Sequence, residues 1–192
     1  PVAAEKKREI RAKYQLPDHY ILNVGSIEER KNALSAVQAL TILPEQIHLV
    51  IVGRHTEYTD KIERFIKENK LEERVHIISN VPFDDLPAFY QLAEIFVYPS
   101  RFEGFGIPII EALYSGIPVV AATGSCLEEA GGPDSIYVHP DDIKGMADAF
   151  KQIYSDTERK KEIIEKGQKF AKRFSEEKQA EEILNIYKKL MK

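Results

Sequence analysis

The sequence predicts an α/β domain, a doubly wound parallel sheet of about six strands followed by a helical C-terminal appendage. Three observations carry that prediction. Short, mostly apolar runs recur at Tyr20–Val24, Ile47–Val52, Val75–Ile78, Ile95–Tyr98, Pro118–Ala121 and Ile136–Val138. They do not alternate with polar residues, as strands buried on both faces do not. Helical patterns separate most of the runs, and past Pro140 the chain turns charged and helical with no further strand-like stretch.

Residues 1–15 are charged and helical in character, a linker helix ahead of the core. The first run ends on Gly25, and Asn32–Leu43 sets Leu34, Val37, Ala39, Leu40 and Leu43 near a 3.6-residue period. The second run closes on Gly53 and the third on the loop Asn80, Val81, Pro82, Phe83. After the fourth run, Pro108 fits the first position of a helix, where a fixed φ and a missing donor cost nothing. Ala147, Phe150, Ile153 and Tyr154 mark a further helix, and a charged helical stretch follows over Asp156–Arg173. Ser175 caps a last helix running to Lys192, with Glu176 and Glu177 favourably placed in its first turn. With no repeat, low-complexity tract or linker, residues 1–192 form a single domain, its core at 20–155 and its C-terminal helices at 156–192.

Composition narrows the function. A chain of 192 residues that is 43% hydrophobic builds a proper core, so disorder is excluded as the main state. Lys plus Arg number 27 against 31 Asp plus Glu, both signs dispersed, which disfavours nucleic acid as the partner. A lone cysteine, Cys126, forms no internal disulfide and has no obvious basic neighbour; a bystander thiol in a reducing, cytoplasmic setting fits. The five histidines, His19, His48, His55, His76 and His139, lack the spacing of metal ligands. The start shows neither a signal-peptide core nor an initiator methionine, so Pro1 reads as the first residue of a piece excised from a longer chain.

In doubly wound sheets ligands bind beyond the carboxyl ends of the strands. Two loops there carry unusual chemistry. In Pro99–Glu111, Gly104 and Gly106 precede a helix whose free amides, at Gly106 and Ile107, suit a diphosphate. Glu103 stands before that helix and Glu111 about one turn inside it. Two carboxylates beside a phosphate site make sense as acceptors from the hydroxyl pairs of ribose and hexose, which points to a nucleotide sugar. The loop Gly25, Ser26, Ile27, Glu28, Glu29 ends in Arg30 and Lys31, cations within reach of the same diphosphate. A dinucleotide fingerprint would need a third glycine where Ile109 stands, so the NAD reading fails. No Asp-x-Asp occurs to bridge a metal to diphosphate.

Along nearly its whole length the chain resembles the retaining glycosyltransferases of family 4. The most specific piece is the pair Glu103 and Glu111, seven residues between them, within the run Pro-Ser-Arg-Phe-Glu-Gly-Phe-Gly-Ile-Pro, followed by Gly116, Pro118 and Val119. The resemblance implies the Rossmann-like C-terminal half of a two-domain GT-B enzyme whose N-terminal acceptor domain is absent. It implies transfer of a hexose, with mannose as a candidate, from a GDP- or UDP-linked donor to a glycan or lipid-linked acceptor held by the other half. Glu103, Arg30 and Lys31 would then stand nearest the chemistry. Glu111 would bind the ribose, Gly106 and Ile107 would offer amides to the diphosphate, Val81 and Pro82 would lie near the base, and Phe105, Gly25 and Ser26 would complete the donor site.

No cofactor or metal is implied, and the intact enzyme would work in the cytoplasm, peripherally at the inner membrane face. The isolated piece would not turn over, and the apolar face Ile183, Ile186, Tyr187 and Leu190 would expose it to self-association. Two positions depart from the family pattern: Ser26 stands where many relatives have arginine, and His55 where many have glycine. A nucleotide-sugar epimerase of the same architecture and a noncatalytic nucleotide-binding module are the alternatives; product and turnover discriminate them.

Overall fold

The computed structural model describes residues 1–191, apart from the side chains of Glu176 and Glu182. Six strands, β1 (Tyr20–Val24), β2 (His48–Val52), β3 (Val75–Ile78), β4 (Ile95–Tyr98), β5 (Val119–Ala122) and β6 (Ile136–Val138), form one sheet. Its order is β3-β2-β1-β4-β5-β6 with every pair parallel, the doubly wound sheet expected. The strands are apolar because both faces are covered. Ile21, Leu49, Ile51, Ile95 and Val97 point to one face, under α2 (Ala33–Leu40), α3 (Thr59–Glu68) and α7 (Ile143–Ser155). Tyr20, Leu22, Val50, Phe96 and Tyr98 point to the other. There they meet α1 (Ala4–Tyr14), α4 (Leu86–Leu92), α5 (Ile107–Ser115), α6 (Leu127–Gly131) and α8 (Thr157–Ala171).

Chain order reverses between β1 and β4, the place where such sheets open a crevice. The register shows how it opens. β1 and β2 stay paired over five positions, from Tyr20 with His48 to Val24 with Val52. β1 and β4 pair at only two, Ile21 with Ile95 and Leu22 with Phe96. Beyond them the buried Asn23 side chain spans the gap, its Nδ2 donating to the Val97 carbonyl at 2.9 Å.

Several boundaries shift from the sequence reading, each for a local reason. The helix drawn over Asn32–Leu43 is α2 plus a tightening turn, in which the Thr41, Ile42 and Leu43 amides reach back only three residues. Pro44 follows and disfavours helix at Leu43. α5 starts at Ile107, so Pro108 takes its second position. α1 packs on the core through the buried Ile10, and Lys13 and Tyr14 bind Asp85 ahead of α4 at 2.7 and 2.8 Å. Asp142, Asp156 and Ser175 cap α7, α8 and α9 (Glu176–Leu190) through their side chains. Lys192, to which the sequence carries the last helix, and the side chain of Glu176 in its first turn lie outside the described residues. Among the described residues no helix is long and apolar enough to cross a membrane.

Candidate functional site

Three loops meet above the crevice. Arg30 and Lys31 sit in a 3₁₀ turn (Glu29–Lys31) between β1 and α2, and Asn32 follows in the left-handed conformation with φ 56°. Read as the first helical residue, Asn32 instead buries its side chain and donates to the carbonyls of Pro99 at 3.2 Å and Pro140 at 2.9 Å. The Arg101 amide donates to the Arg30 carbonyl at 2.8 Å. The β1–α2 and β4–α5 loops are therefore joined by backbone and side chain alike.

That junction brings the predicted charges together. Lys31 Nζ lies 2.7 Å from Glu103 Oε1 and donates to the Tyr98 hydroxyl at 2.9 Å. Arg30 is held differently: its Nε pairs with Glu28 at 3.0 Å and its Nη1 donates to the Phe102 carbonyl at 3.2 Å, 3.6 Å from Glu103. Side-chain exposure of 47% for Arg30 against 15% for Lys31 and 10% for Glu103 sorts them into a rim cation and a sunken ion pair. Burial alone would raise the Glu103 carboxyl, but the Lys31 ammonium and the Ser100 hydroxyl outweigh it and hold Glu103 below the ordinary glutamate range. Burial would likewise lower the Lys31 ammonium, yet Glu103 and Tyr98 hold it above its usual value. Both groups are thus charged at neutral pH.

The helix N-terminus has the expected form. Gly106 precedes α5 at φ 112°, and a Cβ there would come within 3.1 Å of Leu127 and 3.3 Å of Ala130, so only glycine fits. Gly104, in contrast, has open space where a side chain would go. The amides of Gly106 and Ile107 have no acceptor among the described residues, and Ile107 is exposed. Phe105 sets its ring edge-on against Phe174 at 5.7 Å. Cys126, read as a bystander, donates its thiol to the Glu103 carbonyl at 3.2 Å and steadies this loop.

Glu111 lies one turn into α5 and accepts from the Tyr90 hydroxyl on α4 at 2.7 Å. It shares a cleft of about 270 Å³ with Phe83, Leu86, Pro87, Tyr90, Ile110 and Tyr114, so the β3–α4 loop and Glu111 border the same space. Phe83 lines that cleft; Val81, packed against the core, and the exposed Pro82 do not. Gly25 takes φ 148° as β1 ends, and the Ser26 hydroxyl is occupied by Glu28 at 2.5 Å. The contacts of Tyr98, Tyr90 and Asn32 were not legible as site features, since each residue reads locally as strand or helix interior.

An open parallel sheet with cations, free helix N-terminal amides and carboxylates gathered at its reversal point defines a doubly wound α/β domain of the Rossmann-like class. Comparison with known proteins narrows the class. Residues 6–170 match the family described as glycosyl transferases group 1, and the chain belongs to it. The O-antigen chain mannosyltransferase B of Escherichia coli is 33% identical over 183 residues, covering 93% of this chain and 48% of that protein. The chain therefore spans about half the length of that curated relative. A glycosyltransferase of Rickettsia africae superposes with a TM-score of 0.90 at 25% identity, over 100% of this chain and 53% of that one. HepE of Anabaena, crystallised with UDP-glucose, shares the fold at a TM-score of 0.82 and 20% identity, over 90% of this chain and 49% of that one. The fold is thus the Rossmann-like half of a GT-B architecture that the sequence led one to expect.

Proposed function

We propose that this chain is the donor-binding half of a retaining hexosyltransferase. The acceptor would be a glycan or lipid-linked hydroxyl bound by the half of the relatives that this chain does not match, and that half would bring the enzyme to the inner face of a membrane. Mannose is the candidate hexose, in keeping with the relative named as a mannosyltransferase, and GDP or UDP the carrier, in keeping with the UDP-glucose in HepE. The observation that carries the reading is the junction of Lys31 and Glu103, 2.7 Å apart, beside the free amides of Gly106 and Ile107. It sets positive charge where a diphosphate would lie and a carboxylate where a sugar hydroxyl would need an acceptor.

In the transfer, the bond from the anomeric carbon to the phosphate oxygen breaks and the electron pair leaves with the diphosphate. An acceptor hydroxyl forms the new bond to the anomeric carbon, and its proton passes to the departing phosphate oxygen. Charge grows on the leaving diphosphate, where Arg30, Lys31 and the α5 amides lower the barrier. Glu103 orients the donor sugar and Glu111 the ribose. The reading invokes no metal, since the cations and amides supply the neutralisation.

Calorimetric titration of the chain with GDP, UDP and their sugar conjugates tests this. One nucleotide series should bind saturably, and Lys31→Ala and Glu111→Ala should each weaken it by about tenfold or more, the scale of a lost charge-assisted hydrogen bond. Absence of binding by every nucleotide, or indifference to both substitutions, overturns the reading. In the chain joined to its acceptor half, Glu103→Ala should abolish most turnover.

A further inference from the structure

Behind the site lies a continuous row of three aromatic rings that the sequence disguises as ordinary core. The Tyr90 ring on α4 lies 5.3 Å from Phe96 on β4, its plane tilted by 50°, and Phe96 lies 5.8 Å from Tyr98, the last residue of β4, with planes 20° apart. All three are at most 2% exposed. Only the two phenolic tips leave the apolar layer, and each meets a charged group of the site: Tyr98 accepts from Lys31 at 2.9 Å and Tyr90 donates to Glu111 at 2.7 Å. A packing role needs neither hydroxyl, because phenylalanine fills the same volume. Burying a phenol costs free energy unless it finds such a partner.

We propose that Tyr90 and Tyr98 are positioning residues for the donor, one buried aromatic row setting the ribose carboxylate Glu111 with one hydroxyl and the diphosphate cation Lys31 with the other. The inference rests on the nucleotide-sugar reading and adds what fixes its two ends. Lys31 is a flexible four-carbon cation; bound to Glu103 alone it would lose its anchor whenever the carboxylate turned to a sugar hydroxyl. Tyr98, held by Phe96 and the strand, keeps the ammonium in place in both circumstances. Glu111 is one rotatable carboxylate on a helix, lining the cleft, and Tyr90 holds one of its oxygens, which leaves the other to accept from a ligand.

The test separates the two hydroxyls by ligand. Calorimetry on the chain compares the wild type, Tyr98→Phe and Tyr90→Phe against the nucleoside diphosphate, the monophosphate and the 2′-deoxynucleoside diphosphate of the series that binds. Tyr98→Phe should weaken the diphosphate about tenfold and leave the monophosphate within about twofold. Tyr90→Phe should weaken both ribonucleotides alike, and much of its effect should vanish with the 2′-deoxy ligand. A merely structural role would lower affinity for all three ligands together, or lower the melting temperature without changing their ratios; either result overturns the inference. Wild-type binding with unchanged ratios in both variants overturns it alone, whereas no binding by the wild type removes the site reading as well.

Discussion

Gly53 lacks a side chain because its neighbour leaves no room for one: a Cβ there would stand 1.8 Å from the Gly25 carbonyl oxygen. The ends of β1 and β2 are pressed together at this point, with the Gly25 amide donating to Val52 at 2.9 Å. Since backbone and not a mobile side chain is the obstacle, Gly53→Ala should destabilise by about 3 kcal/mol or more, the upper range for overpacking. Thermal unfolding checks this, and nucleotide binding should weaken too, because the displaced carbonyl begins the loop that carries Arg30 and Lys31. Glu103, Glu111, Gly106, Arg30 and Lys31 could be found in the sequence because their spacing against a strand end and a helix start is itself the signal. Tyr98, Tyr90 and Asn32 could not. Their polar tips find partners 67, 21 and 67 residues away, and no local pattern separates a phenol with a duty from one that only fills space.

Among elements, β2 and β3 carry a feature remote from the crevice. His48 and His76 stack with ring centroids 5.3 Å apart and share a hydrogen bond of 3.1 Å. Burial is the first cause that lowers both imidazoles below their ordinary value; Arg74 and His19 add to it at His48, and His48 adds to it at His76. The native state therefore holds fewer protons than the unfolded chain, whose histidines titrate near 6.5. The pair's contribution to stability is complete above that pH and is lost as pH falls through the lower native values. Melting temperature should drop between pH 7.5 and 5.5, and the drop should shrink in His76→Gln. Element assignment from sequence succeeded for the strands, short but uniformly apolar, and named no helix over α3 or α4. α4 covers seven residues, under two turns, too few to display a period.

At the scale of the whole molecule, the doubly wound sheet was legible because burial on both faces leaves uninterrupted apolar strands. The strand order was not, since nothing in a strand's composition names its neighbour. α9 stands apart from that economy: Ile183, Leu184, Ile186, Tyr187 and Leu190 are more than half exposed along it. The chain alone should associate through this face at high concentration, and Ile186→Lys with Leu190→Lys should return it to monomer, as sedimentation velocity would show. What anchors α9 is the 3₁₀ turn Lys172–Phe174 at its root, where Phe174 lies edge-on against Phe170 at 5.8 Å and Phe105 at 5.7 Å. Phe105 is the residue just before Gly106. The last helix is consequently hinged on a turn whose Phe174 touches the segment leading into α5, so that the root of α9 and the start of α5 share one aromatic contact.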